Sequence, residues 1–269
     1  MGMQTVYDRE VTLHSRNVQG RNALTERAGR AAVFYKPAHA RKTQPGAWRR
    51  LAAVALCCGA LLCAFRLYGR ARSRFGVQLP VRTVLQNPEL PNGCEAASLA
   101  ALLKYKGVPA DKLDLAYGYI PRGDIEETTD GRTGPDPELA SAGLGFYCFA
   151  QPVAQGANAY LAAQGSALRA VDITGVTGQG LLQYLRGGDP VIVWITKDLS
   201  APRTGGCTWL LADTGETYVP YVNLHCVVLA GWDGDTCTIA DPLQGRRRVD
   251  AAAFLQCFRQ MGSRAVVVH

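Results

Sequence analysis

The hydrophobic positions of this chain form two patterns, one near the N-terminus and one over the last two thirds. Leu51 to Phe65 (LAAVALCCGALLCAF) is a 15-residue apolar run without a charge, and arginines flank it on both sides. A membrane-spanning helix needs about 20 residues. Trp48 and Leu67 can extend the run, while Arg66 directs its guanidinium to the interface. We therefore predict one uncleaved transmembrane anchor over residues 51–68.

Two alternatives stay open for this run. A buried core helix can have the same length, although arginines around both ends are not typical of one. The hydrophobic part of a secretory signal also has this length. It usually lies nearer the start of a chain and ends in a small-residue cleavage site, for which the following RLYGRARS is a poor match.

Charge divides the chain near the same place. The net charge is +7, but residues 1–74 alone carry +11 and the remainder carries −4. Residues 1–50 are polar and basic, and we predict a disordered tail that stays in the cytoplasm. The domain after the linker, residues 69–80, is then expected on the outer side of the cell membrane. A mildly acidic domain without a basic stripe excludes nucleic acid as its partner.

Residues 81–269 have the pattern of one mixed domain, with helices first and strands later. Three helices are predicted: over Ala96–Leu103, around Ala157–Ala163, and up to Gly187-Gly188. Val191 to Thr196 predicts a buried strand, and two apolar runs on either side of Asp233-Gly234-Asp235 predict a β-hairpin. The Gly/Asp/Pro-rich residues 120–145 are expected to form a long surface loop. This order of elements favours an α+β fold.

One cysteine stands at the start of the first helix of this domain. Cys94 follows a turn signal (PNGC) and precedes strong helix formers, so we expect it at a helix N-terminus. The unpaired N–H groups and the helix dipole favour negative charge there and lower the pKa of a thiol. Cys94 is therefore a candidate nucleophile, although a structural cysteine can occupy the same place.

A cysteine nucleophile needs a base, and the chain has four histidines. Two lie in the basic tail and one is the last residue, so only His225, in YVNLHCVVL, is placed to serve. Asp241 follows 16 residues later at the end of the second hairpin strand, where its carboxylate can hold the imidazole ring. A hydrogen-bonded core histidine and a turn-forming aspartate are the structural alternatives.

The remaining component is a donor for the charge that develops on a carbonyl oxygen. Gln86, eight residues before Cys94, is the candidate, and Asn87 and Asn92 are alternatives. An ordinary loop glutamine would look the same. The run Arg246-Arg247-Arg248 is interpreted as a solvated face or as a contact for an acidic substrate group.

The other five cysteines of the domain have no metal-ligand spacing, and neither a metal nor an organic cofactor is expected. They are Cys148, Cys207, Cys226, Cys237 and Cys257. Cys226 and Cys237 lie on the two strands of the predicted hairpin. They could form a disulfide across it, or remain buried thiols.

Several segments in order resemble the double-glycine leader peptidase family, specifically its free-standing, YvpB-like bacterial branch. They are Gln86, PELPNGCEAASLAALLKYKGV, LRGGDPVIVWIT and LHCVVLAGWDGDTCTIADPL. The resemblance implies a papain-like cysteine peptidase fold: an N-terminal helical part carries Cys94, and a C-terminal antiparallel sheet carries His225 and Asp241. Glu95 follows the cysteine here, where exporter-linked members have a small residue, so specificity for two glycines is not carried over.

The predicted function is thus a membrane-anchored cysteine peptidase that acts on a peptide or protein. Cys94 would be the nucleophile, His225 the general base and acid, Asp241 the residue that orients it, and Gln86 an oxyanion donor. An amidase or transpeptidase could use the same acyl-thioester. A third possibility is a non-catalytic module that binds peptides in the groove of a peptidase fold.

Overall fold

The structure is a computed structural model that describes residues 46–129, 131–143 and 146–269. The predicted cytoplasmic tail, residues 1–50, lies almost entirely outside the described residues. The α-helices are α1 (Ala47–Phe75), α2 (Cys94–Tyr105), α3 (Lys112–Asp114), α4 (Ala150–Ala163), α5 (Gly178–Arg186) and α6 (Ala251–Gln260). A π-helical turn, Leu115–Tyr119, directly follows α3.

The β-strands are short in the middle of the chain and longer after residue 190. They are β1 (Val77–Gln78), β2 (Arg122–Gly123), β3 (Glu126–Thr128), β4 (Gly131–Gly134), β5 (Ser141–Ala142), β6 (Ala170–Asp172), β7 (Val191–Thr196), β8 (Trp209–Leu211), β9 (Thr217–Tyr218), β10 (Leu224–Trp232), β11 (Thr236–Asp241), β12 (Gly245–Asp250) and β13 (Ala265–Val268). Together with the helices they give the α+β fold that the sequence predicts.

Helix α1 contains the apolar run near the N-terminus. Its segment Trp48–Leu67 has a mean hydropathy of 1.8, and none of it is buried. The alternative of a buried core helix therefore does not describe it. Within the described residues it is the one helix that is long and apolar enough to cross a membrane. Helix α1 continues to Phe75, so the predicted linker 69–80 contains the end of this helix and strand β1.

A seven-stranded antiparallel sheet forms the centre of the domain. Its order is β12-β11-β10-β7-β13-β6, and β1 pairs with the end of β10. Strands β7 and β10 lie in the middle because their apolar side chains are buried at almost every position. The predicted strand 191–196 is confirmed, and so is the hairpin of β10 and β11, in which Val228 lies opposite Ala240.

The helices pack against this sheet. Helix α2 contacts β10, α4 contacts β6 and β13, and α6 contacts β7, β11 and β12. The predicted end of α5 is confirmed, since Gly187 is its C-cap. Helix α4 begins at Ala150, seven residues before the predicted start. Pro152 interrupts the pattern there, but proline is tolerated in the first turn of a helix.

The expected long loop over residues 120–145 contains four short strands instead. Strands β3 and β4 form a second sheet with β8 and β9, and β2 pairs with β5. The expectation was wrong because these strands are only two to four residues long and lack apolar alternation. Strand β4 pairs with β8, which lies about 75 residues later in the chain, so no local sequence pattern indicates this pairing.

The cysteines of the structure are all free. Strand β11 places Cys237 opposite Trp232 of β10. Cys226 lies near the other end of β10, so the two thiols do not face each other across the hairpin. Of the two possibilities for this pair, the structure has buried thiols.

Candidate active site

Cys94 is the first residue of helix α2, as predicted. The turn before it needs a glycine at position 93, because a Cβ atom there would lie 2.5 Å from the Cβ of Leu90. Gly93 is also the N-cap, and it offers no side chain to the first N–H groups of the helix. Cys94 itself is only 7% exposed. The helix therefore begins with a shielded thiol, and its first N–H groups receive no side-chain cap from position 93.

His225 and Asp241 lie side by side on β10 and β11. His225 Nε2 is 2.7 Å from Asp241 Oδ1, and both side chains are buried. The carboxylate also accepts hydrogen bonds from the Leu243 N–H (2.8 Å) and, at Oδ2, from Arg247 Nε (2.9 Å). Burial by itself raises the pKa of Asp241, but the hydrogen bonds from His225, Leu243 and Arg247 lower it to about 2.

An ionised Asp241 fixes the imidazole ring of His225. Since a carboxylate only accepts hydrogen bonds, His225 Nε2 carries the proton of this pair. The other ring nitrogen, Nδ1, has no hydrogen-bond partner among the residues that the structure describes, and His225 lines a cavity. This geometry leaves one nitrogen of a held imidazole available to take up a proton.

Arg247 was not predicted as part of this group. The sequence interpretation treated Arg246-Arg247-Arg248 as one unit, but β12 directs its members to different partners. Arg246 binds the carbonyl oxygens of Leu79 and Val81, whereas Arg247 pairs with Asp241. The available signal was the short connection between β11 and β12, which brings position 247 next to the strand that ends in Asp241.

Gln86 lies on the same side of the domain and is 2% exposed. Its Nε2 donates to the Pro91 carbonyl, while its Oε1 has no hydrogen-bond partner. Its backbone N–H donates to the carbonyl of Pro242 over 3.0 Å. The loop before Cys94 is thus attached to the turn after Asp241.

A cavity of about 380 Å³ brings three of the four predicted residues together. Gln86, Cys94 and His225 all line it, and Asp241 lies behind His225. Of the two alternatives to Gln86, Asn92 also lines the cavity. A nucleophile, a base and amide donors around one cavity are the groups that acyl transfer needs.

The thiol of Cys94 has a neighbour that the sequence interpretation left without chemistry. Its Sγ donates to Glu95 Oε2 over 3.3 Å, and no hydrogen bond joins it to His225 within the described residues. Burial and the charge of Glu95 raise the pKa of Cys94 well above its usual value. The expected lowering of this pKa is therefore wrong for this conformation, because desolvation of the thiolate exceeds the effect of the helix terminus.

A cysteine at a helix N-terminus, beside a His–Asp pair on an antiparallel sheet, is the arrangement of a papain-like cysteine peptidase. The chain belongs to the Peptidase_C39 like family, whose family model matches residues 78–266. The resemblance to this family of peptidases is thereby confirmed, and membership of the family supports a function of the cysteine peptidase type.

The chain is similar to several known proteins. The uncharacterised protein YvpB of Bacillus subtilis (strain 168) is 31% identical over 207 residues, which are 72% of this chain and 77% of YvpB. The crystal structure of a candidate C39-like peptidase from Bacillus anthracis has 31% identity and a TM-score of 0.62. The match covers 72% of this chain and 97% of the Bacillus anthracis chain. A double-glycine motif protease from an AMS/PCAT transporter, solved with its leader peptide, is more distant, with 19% identity and a TM-score of 0.38.

Proposed function

We propose that this protein is a membrane-anchored cysteine peptidase that cleaves peptide bonds through an acyl-thioester on Cys94. The observation that carries the proposal is the common cavity of Gln86, Cys94 and His225. The hydrogen bond between His225 and Asp241 supports it, since a base of this kind must be held in one orientation.

The reaction begins with transfer of the Cys94 proton to Nδ1 of His225. The thiolate attacks the carbonyl carbon, and negative charge develops on the carbonyl oxygen. The Cys94 N–H and the amide of Gln86 would donate to this oxygen. The C–N bond then breaks, and His225 gives its proton to the departing amine. A water molecule, deprotonated by His225, releases the acid and restores the thiol.

The first step requires a change of partner for the thiol. In the structure the Cys94 thiol donates to Glu95, so a rotation about the Cα–Cβ bond must bring it to His225. Such a rotation exchanges one hydrogen-bond acceptor, Glu95, for another, His225. Catalytic hydrogen bonds commonly form only when substrate is bound.

Helix α1 provides the proposed anchor. We assign it to the cell membrane with the basic tail in the cytoplasm, because ten Lys/Arg against three Asp/Glu precede residue 51. The peptidase domain then faces outward and meets peptide or protein substrates outside the cell. Protease added to intact spheroplasts should digest the domain and leave the tail protected.

The test uses the full-length chain in detergent and a library of internally quenched peptides. Cys94→Ala and His225→Ala should each lower cleavage at least about 1,000-fold, because both groups act in the same step. Cys57→Ala is the matched control, since this cysteine is exposed on α1 away from the cavity. It should retain wild-type rates.

Other results would assign the protein to a different class. If wild type cleaves nothing but binds library peptides as tightly as Cys94→Ala does, the protein is a binding module. If the acyl group passes to an added amine in preference to water, it is a transpeptidase. Equal cleavage by wild type and Cys94→Ala would overturn the thioester mechanism.

A further inference from the structure

A second cavity lies next to the one that Cys94 and His225 line. It measures about 330 Å³ and is lined by both neighbours of the cysteine, Gly93 and Glu95. Pro91, Asn92 and Phe146 line this cavity and the first one as well. The two spaces therefore share a wall next to the nucleophile, so residues on the two sides of a scissile bond would lie in them.

Glu95 is the unusual member of this lining. It is 5% exposed, and its Oε2 accepts the hydrogen bond from Cys94. Its Oε1 is also buried and has no hydrogen-bond partner. A buried carboxylate oxygen without a donor is costly, and a ligand that supplies the donor would remove this cost. Burial raises the pKa of Glu95 to about 7, against the lowering effect of hydrogen bonds from its own backbone N–H, the Cys94 thiol and the Cys148 backbone.

The other charged groups around the cavity have partners. Glu89 forms an ion pair with Lys112 over 2.6 Å. The guanidinium of Arg122 lies 5.5 Å from the centre of the Tyr117 ring. Among the charged side chains of the described lining, Glu95 is the buried one, and its Oε1 lacks a hydrogen-bond donor.

The remaining walls suit an aliphatic chain. Ala96, Ala116, Ile120 and Phe146 contribute apolar surface to the cavity. Lysine and arginine have an aliphatic stem that packs on such surface and a cationic end that seeks a carboxylate. A side chain of this kind would reach Glu95 with its end while its stem contacts the walls.

We propose that this cavity is a substrate subsite that selects a lysine or arginine side chain, with Glu95 as the residue that accepts its hydrogen bonds. The proposal rests on the proposed peptidase function and adds the chemical class of one substrate residue. Glu95 then acts as a specificity-determining residue, and the residue after the nucleophile sets the preference of this enzyme.

The experiment measures kcat/KM of the full-length protein in detergent on quenched peptides. Each position flanking the cleaved bond is occupied in turn by lysine, norleucine or glutamate. Norleucine retains the aliphatic stem of lysine without its ammonium group. At one position, lysine should exceed norleucine by at least about tenfold, as expected for a charge-assisted hydrogen bond to a buried partner. Glu95→Gln should remove this preference while norleucine peptides are still cleaved.

A control variant separates the subsite from general charge effects. Glu127→Gln removes the same charge from the exposed strand β3, where Glu127 pairs with Arg132, and should keep the lysine preference. If wild type cleaves peptides but treats lysine and norleucine alike at every position, the subsite proposal fails and the peptidase proposal stands. If wild type cleaves no peptide of the library, the peptidase proposal itself fails. If Glu95→Gln does not fold, the comparison of lysine and norleucine peptides with the wild-type protein still tests the subsite proposal.

Discussion

The thiol of Cys94 lies between two groups with opposite effects on its proton. Burial and the charge of Glu95 both hold the proton on the sulfur by raising the pKa of Cys94, because a thiolate is poorly solvated there and unfavourable next to a negative charge. His225 would take the proton away, and Asp241 would stabilise the resulting imidazolium. The resting structure has the first arrangement, so the reactivity of Cys94 depends on which neighbour it faces.

Replacement of Glu95 by glutamine should lower the apparent pKa of Cys94. The amide keeps the size of the side chain but removes the charge that opposes the thiolate. The measurement is the rate of iodoacetamide labelling at Cys94 against pH, read by mass spectrometry of the full-length protein. Cys207, which is partly exposed in the domain, is the internal control in the same sample and should not respond. An unchanged or raised apparent pKa at Cys94 would show that Glu95 does not govern the thiol.

Replacement of Arg247 by glutamine should destabilise the fold in a pH-dependent way. The native pKa of Asp241 is about 2, below the usual 3.8, so its partners contribute stability above pH 4 that is lost as the pH falls toward 2. Arg247 is one of several such partners, and its side chain is 26% exposed. We therefore expect the substitution to lower the free energy of unfolding by about 1 kcal/mol at pH 7.

Urea unfolding of wild type and Arg247→Gln between pH 7 and pH 3 measures this difference. The difference in free energy of unfolding between the two proteins should become smaller as the pH falls. Arg248→Gln is the control, because Arg248 pairs with Asp233 and not with Asp241. If this difference in free energy stays constant from pH 7 to pH 3, Arg247 stabilises the fold by packing alone.

At the scale of elements, short contacts hold the parts of the site in register. The Gln86 N–H binds the Pro242 carbonyl, and Gly156 of α4 lies against the backbone of the segment that ends the π-helical turn. A Cβ atom at position 156 would lie 2.8 Å from Ile120 Cα and 2.9 Å from Ile120 N. Because Ile120 lines the cavity of Glu95, this approach fixes one wall of the proposed subsite.

Gly156→Ala should therefore destabilise the domain by about 1–3 kcal/mol, although alanine is the better helix former. The atoms it would meet are backbone atoms, which cannot move aside cheaply. Gly118→Ala is the matched control, since Gly118 lies in the adjacent π-helical turn with nothing within 4 Å of an added Cβ. Thermal unfolding in detergent should give a lower midpoint for the first variant only. Equal midpoints would mean that α4 and the turn separate without cost.

At the scale of the whole molecule, the sequence predicts the parts with strong local signals. Strand β7 and the β10–β11 hairpin are apolar runs bounded by Gly, Pro and Asp, and their bounds agree closely with the structure. Cys94, His225 and Asp241 could be selected because few residues of the chain have the required chemistry. The sheet of β3, β4, β8 and β9, and the contacts of Glu95 and Arg247, depend on neighbours distant in sequence or on side-chain direction. No local pattern encodes those.

Membrane attachment also belongs to this scale, because it depends on the run in α1 as a whole. Wild type should remain in the membrane pellet after alkaline carbonate extraction. Leu56→Lys together with Leu61→Lys should shift it to the soluble fraction, since a lysine near the centre of a span costs about 2.5–3.5 kcal/mol. These leucines are 75% and 70% exposed.

The control places the same two charges on the domain, as Leu139→Lys with Val171→Lys, at positions that are 46% and 38% exposed. This variant should stay in the pellet, because a charge on an already exposed part of the domain does not enter the bilayer. Extraction of wild type by carbonate would contradict a spanning helix. Retention of the charged α1 variant would mean that another part of the chain holds the protein at the membrane, and α1 would then need a different role.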